Sequence, residues 1–271
     1  MHPGLVDAHV HIENASGLRA VAAAGVVAVR DAGTKQGAGL LFGTRQGPKD
    51  FPDVLSAGWA LYKKGGYGAA FGFPVESGED ISDAVSRLRN AGAGIIKIMA
   101  SGIVSLKKPG EITPGGFKPH ELEVIVEEAA RAGLSVMAHA NGDEAIGACA
   151  LAGVRSVEHG FFMTEKSLGL LAAKGVFWVP TVGALRRAAD ASGAPDAVRQ
   201  FIDGLIGRQL AMIRAAYSAG VSLAVGTDRV LPDERYAPAY EAELAHFERA
   251  GIPRAEVIRI ASEGGARLLG M

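Results

Sequence analysis

Cysteine is nearly absent: Cys149 is the single one in 271 residues. No intramolecular disulfide can form, and a reducing cytoplasm is the simplest compartment for such a chain. Long apolar runs are also missing. None reaches the ~18 residues of a membrane-spanning helix, and no signal-peptide pattern precedes the first apolar segment. Charge of one sign is not in excess, with 28 Lys and Arg against 29 Asp and Glu. Neither nucleic acid nor a membrane is therefore an expected partner. No GxGxxG follows the first apolar segment, which argues against a dinucleotide-binding sheet. Repeats, low-complexity tracts and linkers are lacking too, so residues 1–271 read as a single domain.

What is present is one rhythm. Short apolar segments alternate with stretches of helical period. The apolar segments are 4–12, 26–33, 53–61, 94–102, 134–142, 156–162, 176–182 and 221–228. Helical patterns cover 79–92, 118–132, 142–152, 164–174 and 195–219, and a last one starts at Pro253, a residue suited to a helix start. Segments apolar on both faces and separated by helices indicate parallel strands. Eight such units predict an α/β fold, a closed (β/α)8 TIM barrel, for which ~250 residues is a typical length. Three long connections, 34–52, 62–78 and 103–117, would leave the C-terminal ends of strands, where barrel active sites lie.

Polar residues interrupt the apolar segments in a pattern. "GLVDAHVHI" (4–12) carries His9 and His11 two residues apart, so a strand would point both the same way. Lys97 lies inside "GIIKIMASG", His139 ends "VMAH", His159 ends "VEH", and Asp228 ends "AVGTD". A barrel would gather these ends into one mouth. His2, His120 and His246 fall outside the pattern and carry no assigned role. Each residue also has a plainer reading. A strand-end histidine can be a hydrogen-bonded structural group, Asp228 can cap a helix, and Lys97 can pair with Asp31 or Glu158. One metal site accounts for all six positions together.

The chemistry suits that account. Neutral imidazole and carboxylate are ligands for zinc and similar divalent ions. A buried ammonium costs several kcal/mol unless paired or chemically changed. A lysine amine that has lost its proton can take up carbon dioxide as a carbamate, a bidentate anion able to bridge two metals. Two metals sharing a water supply hydroxide near neutral pH, and Asp228 could carry a proton from that water to the leaving group.

"VDAHVH", "IKIMASG", "AHANG", "EHG" and "GTD", with "VRDAG", "GGYG", "VPT" and the closing "IASEGGARLLG", resemble the amidohydrolase superfamily. The likeness is to its prolidase-like, imidazolonepropionase-related branch. It runs over nearly the whole chain and implies a binuclear metal-dependent hydrolase. The positions matching His9, His11 and Asp228 would hold the more buried metal, and those matching His139 and His159 the more exposed one. Carbamylated Lys97 would bridge the two, and Asp228 would be the proton shuttle, so Asp228, Lys97 and His159 form the expected catalytic set. Zinc is the expected metal, with manganese, iron or cobalt as alternatives. The implied substrates are small molecules with an amide, dipeptide-like or lactam bond.

The sequence departs from the family pattern in places. The family barrel is usually flanked by a small β-sandwich from both chain ends, and this sequence has neither flank. That points to a barrel-only member or a fragment, and exposed barrel sides would favour a homo-oligomer. Asn141 stands where many relatives have a second histidine or a tyrosine, Ile103 replaces a glycine, and Tyr67 stands where histidine is frequent. Tyr67, Asn141 and Arg229 are the candidate substrate contacts. Arg229 could meet a substrate carboxylate or pair with Asp233 or Glu234, and Arg30 with Asp31 reads as an ion pair. Two other functions compete: a mononuclear deaminase or imidazolone-type hydrolase with Lys97 unmodified, and a catalytically silent metal-binding barrel.

Overall fold

The computed structural model describes residues 4–43 and 51–271. In chain order the elements are β1 (Leu5–Ile12), α1 (Ala15–Ala23), β2 (Val26–Asp31), a 3-10 turn (Ala38–Phe42), β3 (Asp53–Ser56), β4 (Ala60–Lys63), β5 (Gly72–Val75), α2 (Gly78–Asn90) and β6 (Ile96–Met99). They continue with α3 (Pro119–Arg131), β7 (Val136–Ala140), α4 (Asp143–Ala152), β8 (Ser156–His159), α5 (Glu165–Lys174), β9 (Phe177–Val179), α6 (Val182–Ala191) and α7 (Asp196–Ser218). The chain then forms β10 (Arg229–Leu231), α8 (Tyr236–Arg249), α9 (Arg254–Arg259), a π turn (Ile260–Gly264) and α10 (Gly265–Leu269).

Parallel pairing runs β10–β1–β2–β3 in one sheet and β5–β4–β6–β7–β8–β9 in the other. Backbone hydrogen bonds join the two sheets into a TIM barrel. On one side Gly94 N–H donates to Ser56 O at 2.9 Å and Ala57 N–H to Asp31 O at 3.0 Å. On the other, residues 222–225 lie between β9 and β1. Trp178 N–H donates to Ser222 O at 2.9 Å, Ala224 N–H to Trp178 O at 3.2 Å, and Ala8 N–H to Val225 O at 2.8 Å.

Strands β1, β6, β7, β8 and β9 are buried on both faces, and an apolar layer packs between strands and helices. Helices supply it from one face each: on α3, Leu122, Ile125 and Ala129 are buried while charged residues face out. Ser77 and Asp80 form a capping box at the start of α2, and Pro119 occupies the first turn of α3.

The sequence reading needs four corrections. The segment 53–61 is two strands, because Gly58 turns the chain at φ 68. The segment 221–228 is not a continuous strand: a single bridge, Trp178 to Leu223, and the hydrogen bonds above do its work. The connection 62–78 contains β5, and part of 34–52, residues 44–50, lies outside the described residues, as does His2. Helices α1, α6 and α8 were not anticipated. Among the described residues no helix is long and apolar enough to cross a membrane.

Cys149 lies in α4 at 0% exposure, and burial pushes its thiol up to about 12. A thiol reagent at pH 8 should leave the native protein unlabelled and label one thiol per chain once denaturant unfolds it. Rapid labelling of the native protein would contradict this packing.

Candidate metal centre and cavity

The C-terminal strand ends bring His9, His11, Lys97, His139, His159 and Asp228 around one cavity of about 150 Å³. His9 and His11 share a face of β1, with ring centroids 5.5 Å apart. The His9 and His159 rings lie 5.2 Å apart, and those of His139 and His159 4.6 Å. Ligand atoms of His9, His159 and Asp228 all lie within 4.8 Å of one another, close enough to hold a metal ion. His11 and His139 flank that group. Gly226 makes the approach feasible, because a Cβ there would meet His9 Cβ at 2.8 Å and Val179 Cγ1 at 2.6 Å.

Each histidine has one ring nitrogen engaged by the surrounding protein. His9 Nδ1 donates to Glu158 Oε2 at 2.8 Å and His11 Nδ1 to Gly33 O at 2.6 Å. His139 Nε2 donates to Gly102 O at 2.9 Å, and His159 Nδ1 bonds Thr181 Oγ1 at 2.7 Å. For His9 and His11 the other nitrogen, Nε2, faces Asp228, the arrangement usual for metal-binding histidines, while His159 Nδ1 lies 4.0 Å from Asp228 Oδ2 in addition to its Thr181 bond. Asp228 Oδ1 stands 3.3 Å from His9 Nε2 and 3.1 Å from His11 Nε2. With both Nδ1 atoms protonated, neutral rings would present lone pairs to a carboxylate. A cation, proton or metal, relieves that repulsion. Burial lowers His9 and His159 well below the usual histidine range, and pushes His139 down to about 4. Burial opposes the Asp228 charge, but His9 and His11 outweigh it and hold the carboxyl below its ordinary value.

Lys97 is 1% exposed, and its Nζ has no hydrogen-bond partner among the described residues. Burial pushes its ammonium down to about 8, against Glu158 and Asp228. The anticipated salt bridge to Asp31 or Glu158 is not formed. Glu158 instead accepts from Arg30 Nη2 at 2.8 Å, from Ser156 Oγ at 2.5 Å and from His9. Arg30 also donates to Ala8 O and Ser156 Oγ, both at 2.8 Å. Asp31 takes Ser56 Oγ at 2.6 Å and Ile12 N–H at 2.9 Å, so Arg30 and Asp31 are not a pair. Asp228 caps no helix, since α8 begins at Tyr236.

Tyr67 and Asn141 line the cavity, with the Tyr67 ring tilted 42° to that of His139 at 5.1 Å and Asn141 Nδ2 donating to Gly102 O at 3.3 Å. Arg229 does not reach it. Its guanidinium pairs with Asp233 and lines a wider outer groove of about 1120 Å³ that also touches Asp228. The cavity walls are apolar: Phe71, Met99, Ile103, Val104, Leu106, Phe161 and Leu185.

Three residues beside the cavity have left-handed backbones, His159 (φ 67), Thr181 (φ 45) and Asp228 (φ 53). Each costs of order 1–3 kcal/mol and persists only where surroundings hold it. The His159 carbonyl accepts from Trp178 Nε1 at 3.0 Å and Gln209 Nε2 at 2.8 Å. Glu158 as a hub, and Thr181, Gln209 and Trp178 as supports, were not assigned such roles from sequence. "EHG" and "VPT" were the local signals; they contain Glu158 and Thr181 without naming their partners.

Glu158→Gln should lower unfolding stability by about 3 kcal/mol in urea titrations, since it leaves the buried Arg30 guanidinium without its counter-charge. A change under 1 kcal/mol would show that the Arg30–Glu158 pair is dispensable.

The amidohydrolase family model matches residues 1–271. An ochratoxinase from Aspergillus niger is 32% identical over 240 residues, covering 78% of this chain and 48% of that protein. The chain thus spans about half the length of the curated relatives of this kind. The crystal structure of A. niger ochratoxinase superposes with a TM-score of 0.83 at 25% identity, covering 99% of this chain and 71% of that one. A prolidase crystallised with N-methylphosphonate-L-proline gives 0.82 at 26% identity, covering 100% and 75%. With its six strand-end ligand candidates in one barrel mouth and a family match along its whole length, this chain belongs to the amidohydrolase family.

Proposed function

We propose that this protein hydrolyses an amide bond in a small molecule, using two divalent metal ions, zinc first among the candidates. The observation that carries the reading is the convergence of four histidines and Asp228 on one cavity, with His9 and His11 each held at Nδ1 by the protein and turning Nε2 toward Asp228. The unpartnered Lys97 Nζ is the second support. An amine with its ammonium pushed down to about 8 is partly neutral at physiological pH, the form that captures carbon dioxide. In this reading His9, His11 and Asp228 would hold one ion and His139 and His159 the other, with a carbamylated Lys97 as a further ligand. Bound there, such a pair acidifies water and polarises a carbonyl.

The chain's own groups do the rest. Asp228 takes a proton on its carboxylate and returns it to the departing nitrogen. The Glu158 and Gly33 bonds keep His9 and His11 in one tautomer and one orientation. Tyr67 and Asn141 flank the substrate from the β4–β5 connection and the end of β7. The apolar walls exclude water and suit an uncharged, bulky group next to the scissile bond. Relatives bearing the names ochratoxinase and prolidase support an amide as the bond cleaved.

Protein expressed with zinc and bicarbonate should carry two metals per chain and a mass gain of one carbon dioxide on Lys97 that acid removes. One metal with Lys97 unmodified would support the mononuclear alternative, and no metal would refute both. Against a panel of N-acyl amino acids and anilides, Asp228→Asn should lower kcat by about 10²–10⁴-fold. Metal-independent turnover, or wild-type kcat in that variant, would refute the role given to Asp228.

A further inference from the structure

Asp228 combines a left-handed backbone with a place between the partly paired 222–225 segment and β10. Its N–H donates to His9 O at 2.7 Å. Its carbonyl side is reached from α6. Arg187 Nη2 donates to Thr227 O and lies 3.5 Å from Asp228 O. The guanidinium therefore spans the two consecutive carbonyls that flank the Asp228 Cα. Arg187 is itself placed by Glu243 of α8. That carboxylate is 1% exposed and accepts from Val182 N–H at 2.9 Å and Gly183 N–H at 2.6 Å, the first donors of α6. One turn further along, Arg187 Nη1 lies 3.8 Å from Glu243 Oε1. A single buried carboxylate thus fixes both the start of α6 and the arginine that returns from α6 to the Asp228 turn.

We propose that Arg187, held by Glu243, is a positioning residue that keeps the Thr227–Asp228 turn in its left-handed form and so aims the Asp228 carboxylate at His9 and His11. The inference rests on the function proposed for Asp228, but its geometry does not depend on metal. His159 shows the same solution at the end of β8, where Trp178 and Gln209 clamp the carbonyl of a residue at φ 67. Arginine suits the task because its planar fork reaches two acceptors at once. A lysine offers a single point charge.

Two measurements on Arg187→Met, Arg187→Lys and Glu243→Gln test this: amide hydrogen exchange resolved at Asp228, and Co²⁺ affinity with its visible absorption spectrum. Loss of a charged hydrogen bond at the turn predicts about tenfold faster exchange at Asp228 in Arg187→Met, with β6 and β7 amides protected as in wild type. Co²⁺ affinity should fall about 10–100-fold, with an altered spectrum, and Arg187→Lys should lie between. Unchanged Asp228 exchange in Arg187→Met would overturn the proposal. So would a loss of protection spread evenly over the barrel, which marks Arg187 as a general stabiliser. Were the wild-type chain to bind no Co²⁺, the proposed function would fall, while exchange at Asp228 would still decide the role of Arg187.

Discussion

The buried carboxylate of Glu158 is the interaction on which the barrel interior is organised. It is 0% exposed and receives bonds from His9 on β1, Arg30 on β2 and Ser156 on its own strand, β8. A charge taken out of water costs several kcal/mol, and only complete pairing offsets that cost. The Arg30 guanidinium provides the opposite charge and is itself satisfied by Ala8 O and Ser156 Oγ. The remaining Glu158 oxygen is free to hold His9 Nδ1. The tautomer and tilt of one candidate ligand thus follow from an ion pair between strands that are not neighbours in sequence. Asp7 repeats the device deeper in β1, accepting from Thr227 N–H and Oγ1 and from Tyr236 Oη, which ties the first strand to the segment that ends in Asp228.

Charge is confined to the cavity floor and apolar surface to its walls. Low local polarity strengthens every interaction of the floor with a bound charge and makes any unpaired group there costly. Among the described residues Lys97 Nζ has no hydrogen-bond partner, as is also true of Gln209 Oε1 and Arg229 Nε outside the cavity. A side chain that costs stability in the bare chain and becomes useful once modified or coordinated fits a site whose demands differ from those of the core.

Much of this was legible in the sequence. Alternating apolar segments and helical stretches specify parallel strands, and eight of them specify the barrel. The i, i+2 histidines on a strand specify a shared face. Strand ends were legible as site positions because barrel topology gathers them. The supports were not legible, since Arg30 to Glu158 and Arg187 to Glu243 join residues 128 and 56 positions apart and no local pattern announces such pairs. The adjacent Arg30 and Asp31 suggested a pair, but in a strand consecutive side chains point to opposite faces, and each found its partner elsewhere. Helix α6 follows β9 after two residues and holds a glycine in its first turn, so its pattern merges with the strand's. The run 221–228 reads as a strand from composition alone, but the left-handed Asp228 and the close approach at Gly226 leave it only partly paired.

The contacts that complete the site are among the longest in the chain. His11 meets Asp228 across 217 residues, and Tyr236 meets Asp7 across 229. Loop-closure entropy must be spent before such contacts return anything, so they belong to the slow, late part of assembly. A nascent chain released only as far as β9 would hold four histidines and Lys97 without the carboxylate that converges on them. The centre therefore serves as a record of completed folding. A cation that binds the finished cluster more tightly than any partial one stabilises the closed barrel alone and draws the population of open-ended intermediates toward it.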